Sequence, residues 1–96
     1  MSRRRTYKDE TLGVISRFFE AIELLKASGK IRGASTYCRM YEIDHANFCN
    51  QRKDHNKGYF EISWILPLIT DFNILSNWLL FGKGKMFRET KKEELK

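Results

Sequence analysis

The chain has no long apolar run. Its longest, Trp64 to Ile69, falls far short of the ~20 residues that a bilayer span requires. It has only two cysteines, Cys38 and Cys49, which make no disulfide framework and are expected to stay reduced. The N-terminus, MSRRRTYKDE, lacks the apolar stretch of a signal peptide, so the expected location is cytoplasmic. No segment alternates with period two, which argues against a sheet. Internal repeats are missing as well. There is no nucleophile–base pair, no pair of carboxylates in an apolar context and no phosphate-cradling loop. The GKG at 82–84 lacks the Walker spacing. The reading is therefore of a protein that is not an enzyme and that takes no cofactor and no small-molecule ligand.

Ninety-six residues make one domain with one core. The net charge of +6 hints at a polyanionic partner, and its placement is uneven. Residues 1–8 carry +4 and residues 83–96 carry +3, whereas 9–43 sum to zero and 44–82 to −1. The excess lies in the two ends. The organisation expected is a basic arm over 1–10, a folded unit over 11–87 and a charged tail over 88–96.

Helical spacing dominates the folded part. From Leu12 to Lys26, Ile15, Phe18, Phe19, Ile22 and Leu25 fall on one stripe, and Ser28-Gly29 supplies a stop. A second helix is predicted over Gly33 to Tyr41, with Ala34, Tyr37, Cys38 and Tyr41 on its inner face. Asp44 can cap a third, running to about Arg52. A polar loop follows over 53–60, with a turn at Gly58. The fourth helix is expected to start near Ser63, which would cap it and leave Pro67 in the first turn, where proline is least costly. Its stripe is Ile62, Ile65, Leu66, Ile69 and Phe72. A short fifth helix spans Ser76 to Phe81, with Ser76 as cap and Gly82 as stop. The expected core is Ile15, Phe19, Ile22, Tyr37, Tyr41, Phe48, Ile65, Ile69, Trp78 and Leu79.

The third helix is the odd one. YEIDHANFCNQRK, residues 41–53, has a single large apolar side chain past its cap, Phe48. A helix polar nearly all round is solvated, unstable or turned toward a polar partner. Two short helices joined by the turn YEID form a helix-turn-helix, in which the second helix places its N-terminal side chains in the DNA major groove. With Phe48 facing inward, His45, Ala46, Asn47 and Asn50 are the candidate base contacts: asparagine pairs with adenine N6 and N7, and alanine meets the thymine methyl. Arg32, Ser35, Lys53 and Lys57 are candidates for the sugar–phosphate backbone. Arg3, Arg4 and Arg5 are candidates for a minor-groove arm, and a solvated tail is the alternative for them.

Residues from about Gly13 to Phe87 resemble the phage-repressor helix-turn-helix family, the lambda-repressor and Cro-like group. The likeness is carried by ASTYCRMYEIDHANFCNQRK, with Tyr37, Cys38, Tyr41, Ile43 and Phe48 at the family's buried positions. It is carried more specifically by SNWLLFGKGKMF, close to the family's fifth-helix ending. The resemblance implies an all-α, compact five-helix lambda-repressor-like domain. It implies a transcriptional regulator, a repressor or Cro-like protein of a bacterium, phage or mobile element, acting as a homodimer on double-stranded DNA. Glu42 stands where the family often has glycine, Gln51 where it commonly has a buried aliphatic, and Cys38 where it usually has alanine. The family's phosphate-contacting glutamine is replaced by Gly33-Ala34. The rival reading keeps the scaffold as a protein-interaction module: an antitoxin, an anti-repressor or an assembly adaptor. No metal is expected, because Cys38, Cys49, His45 and His55 lack the close C-x₂₋₄-C pairing of zinc sites.

Overall fold

The computed structural model describes residues 7–56 and 59–88. The arm residues Arg3, Arg4 and Arg5, together with Lys57, Gly58 and the tail beyond Arg88, lie outside the described residues. Among the described residues there are five helices: α1 (Asp9–Ala27), α2 (Ala34–Met40), α3 (His45–Lys53), α4 (Ile62–Thr70) and α5 (Ser76–Phe81). The architecture is all-α. Among the described residues the one extended pairing is an isolated antiparallel bridge, Ile74 with Phe87.

Helix α1 starts a turn earlier than its apolar stripe, because Asp9 and Glu10 suit the positive end of the helix. It buries Ile15, Phe18, Phe19, Ala21, Ile22 and Leu25. Its stop is the expected one. Gly29 adopts a φ of 82°, and the Gly29 and Lys30 amides close back on the Lys26 and Leu25 carbonyls at 3.1 and 2.9 Å. The end of α2 repeats this geometry without glycine. Glu42 takes a φ of 59°, and the Ile43 amide reaches the Cys38 carbonyl at 2.9 Å. Glu42 thus holds the left-handed backbone that glycine adopts without cost.

Two helix starts differ from expectation. Glu61, not Ser63, occupies the N-cap of α4, and Pro67 is the sixth residue of the helix. Pro67 therefore interrupts the bond pattern inside α4 instead of at its edge. The face also differs: Trp64, Ile65 and Leu68 are buried, while Ile62 is 65% and Leu66 49% exposed. Two of the five residues of the anticipated stripe look outward because the aromatic core pulls Trp64 in. In α5, Ser76 is the first helical residue and Leu75 the cap, with no side-chain capping bond. Gly82 ends α5 as expected, at φ 71°.

Phe18 sits at the centre of the core. Its ring meets those of Phe19, Tyr37, Phe48, Phe60 and Trp64 at centroid distances of 4.9 to 6.0 Å. The buried Tyr37 hydroxyl donates to the Trp64 carbonyl at 2.7 Å and ties α2 to α4. Burial pushes the Tyr37 phenol pKa well above its usual value. Arg17 of α1 donates to the Leu79 and Leu80 carbonyls at 2.8 and 2.9 Å, satisfying the open end of α5. Of the expected core, Ile15, Phe19, Ile22, Tyr37, Phe48, Ile65 and Leu79 are buried, while Tyr41, Ile69 and Trp78 are half-buried. Phe18, Ala21, Leu25, Ile31, Cys38, Trp64, Leu68 and Ile74 are buried with them.

Candidate nucleic-acid interface

Helices α2 and α3 pack on each other across the turn at 41–44, and α5 packs on α1, tied to it at Arg17. Helix α3 is held at three points. Its start is fixed by Asp44, whose carboxylate accepts from the Asn47 amide at 2.9 Å. Its middle is anchored by Phe48, fully buried against Phe18, Phe19 and Trp64. Its last turn is anchored by Gln51, 0% exposed, whose Nε2 donates to the His55 carbonyl. The Gln51 Oε1 has no partner among the described residues. That is an unusual group to bury, since an orphaned buried acceptor costs about 1–3 kcal/mol.

Everything else on α3 faces away from the core or lies at its margin. His45, Ala46, Asn50 and Lys53 are exposed, as are Arg32 and Ser35 at the approach to and first turn of α2. His45 lies flat beside Phe48, and its Nε2 is 3.6 Å from the half-buried Cys49 thiol. Arg52 ranges 5.9 Å over the Phe48 ring and 4.0 Å from Glu23. Helix α3 is charge-polarised: Asp44 stands at its start, while Arg52 and Lys53 close its last turn.

Asn47 is placed differently from its neighbours. Its side-chain amide is engaged at both ends by the backbone of Tyr59: Nδ2 donates to the Tyr59 carbonyl and Oδ1 accepts from the Tyr59 amide, each at 3.0 Å. This clasp draws residues 59–61 against α3. Between them is a groove of about 620 Å³ lined by Asp44, Ala46, Asn47, Asn50, Tyr59 and Glu61. Tyr59 and Glu61 belong to no periodic pattern in the sequence, and nothing there marks them as neighbours of the third helix. The same loop is tied to the N-terminus: the Tyr7 amide donates to Asn56 Oδ1 at 3.1 Å and the Tyr7 hydroxyl accepts from the Phe60 amide at 3.0 Å.

Burial, together with the neighbouring Cys49, pushes the Cys38 thiol pKa up to about 11. Burial, then its hydrogen bond to Asp71 at 2.8 Å, pushes the Tyr41 hydroxyl up to about 12. Among the described residues no three histidine, cysteine or acidic side chains gather as a metal site. Nor is any described helix long and apolar enough to cross a membrane. Comparison with protein-family models, with curated proteins and with solved structures finds no match to this chain.

Proposed function

We propose that this chain is a sequence-specific DNA-binding regulator that reads the major groove with α3. One observation carries the reading. A nine-residue helix with only Phe48 and Gln51 buried presents His45, Ala46 and Asn50 outward, with Lys53 at its end. Those are groups that hydrogen-bond to base edges or neutralise a phosphate. The α2–α3 arrangement supports it, since the leading helix of such a pair crosses the DNA backbone, where Arg32 and Ser35 are exposed. Arg3, Arg4 and Arg5 remain candidates for a minor-groove arm. The decisive test is selection of random duplexes by the purified protein. Enrichment of one motif is expected, and a palindrome would mirror a two-fold dimer.

A homodimer is part of this proposal. The side of the molecule formed by α1, α4 and α5 has an apolar groove of about 600 Å³ floored by Val14, Phe60, Ile65 and Leu80. Ile62 and Phe81, 65% and 66% exposed, stand on its walls. An isologous two-fold interface needs one self-complementary patch, and this exposed apolar face is the candidate for it. Sedimentation should show a dimer on DNA; a monomer both free and bound removes this part.

The protein-interaction reading has one observation in its favour: Asp44 and Glu61 put carboxylates beside the exposed face of α3. A selection that enriches no duplex at low salt would favour it over the regulator.

A further inference from the structure

We infer that the reading surface extends past α3 onto Glu61, and that Asn47 holds it there instead of touching a base itself. The inference rests on the DNA-reading proposal above. The Asn47 side-chain amide makes one donor and one acceptor bond to the Tyr59 backbone, twelve residues away in sequence, and these turn it toward the loop. The Asn47 backbone amide is in turn fixed by the Asp44 cap. The path from capped helix start to loop is therefore continuous, and it leaves Glu61 lining the same groove as Ala46 and Asn50.

Charge then decides what Glu61 can meet. A carboxylate only accepts hydrogen bonds and is repelled by phosphate, so it has no role as a backbone contact. The major groove offers it the exocyclic amino groups, and glutamate accepts from cytosine N4. One Asp44 carboxylate oxygen is held at the helix start by the Asn47 amide, which leaves Glu61 as the lining carboxylate that makes no capping bond. The Ser63 hydroxyl donates to Glu61 Oε1 at 3.2 Å and restrains that carboxylate. Within α3 itself, Lys53 lies at the opposite end from Asp44 and suits a phosphate flanking the groove. The ligand class assigned to Glu61 is thus a base amino group at a C·G pair adjoining the position read by Asn50.

Random-duplex selection with wild type, Glu61→Gln and Asn47→Ala tests this. The wild type should prefer cytosine at one base pair. Glu61→Gln, an isosteric change at an exposed side chain, should lower that preference at least tenfold while leaving the Asn50-dependent position unchanged. Asn47→Ala, compared only if its melting shows it folded, should relax the same base pair as Glu61→Gln. A Glu61→Gln profile identical to wild type overturns the inference, and does so whether or not Asn47→Ala folds. Relaxation of a different base pair in Asn47→Ala also overturns it, since Asn47 would then be reading a base directly. A wild type that selects no motif removes the DNA-reading proposal itself, and this inference with it.

Discussion

Helices α1 and α3 obey the same local rules and are held in opposite ways. Helix α1 buries six side chains and has no side-chain capping bond at its start. Helix α3 buries two, one of them the polar Gln51, and is the one helix of the five whose N-cap side chain makes a capping bond. Where an apolar stripe is available, packing supplies helix stability and a cap is dispensable. Where the outer face must stay polar, the helix depends on Asp44 at one end, Phe48 in the middle and Gln51 at the other. The contrast separates residues that build the scaffold from residues the scaffold presents.

The sharpest way to break this contrast is to remove the middle anchor. Phe48→Ala deletes a fully buried aromatic that touches Phe18, Phe19 and Trp64, and should cost about 3–5 kcal/mol in chemical denaturation. An unchanged midpoint would mean α3 is not docked through Phe48. Asp44→Ala should cost about 1 kcal/mol, the usual loss for an N-cap. Changing the uncapped start of α1 by Lys8→Ala should do much less, so the pair of melting curves measures the difference between the two helices directly.

Gln51→Leu runs the other way. It removes the orphaned Oε1 at the loss of one bond to the His55 carbonyl, and should stabilise by about 1 kcal/mol. A destabilised Gln51→Leu would show that the bond to the His55 carbonyl outweighs the orphaned Oε1. The smallest effect is expected at the turn. Glu42→Gly relieves a left-handed non-glycine residue but loosens the unfolded chain, so stability should rise by only a few tenths of a kcal/mol.

Much of the fold is legible in the sequence because helical periodicity and chain-stopping glycines are local signals. The stripe of α1, the Gly29 and Gly82 stops and the Asp44 cap all depend on residues within one turn of each other. The face of α4 was less legible: its apolar residues are so numerous that two overlapping stripes fit, and only packing on Phe18 selects the one with Trp64 and Leu68. The site divides the same way. The outward placement of His45, Ala46 and Asn50 follows from Phe48 facing inward. The clasp of Asn47 on Tyr59 joins residues across a polar loop and has no sequence signature.

The central claim is that α3 is polar because its partner is DNA. Its most direct test is equilibrium binding of wild type, Asn50→Ala and Lys53→Ala to the selected duplex and a scrambled one across a salt series. Asn50→Ala should lose about 1–3 kcal/mol on the selected duplex and nothing on the scrambled one. Lys53→Ala should weaken both duplexes alike and lower the salt slope by about 0.9. If both variants, folded as the wild type is, bind both duplexes as the wild type does, the exposed face of α3 does not read DNA and the account is wrong.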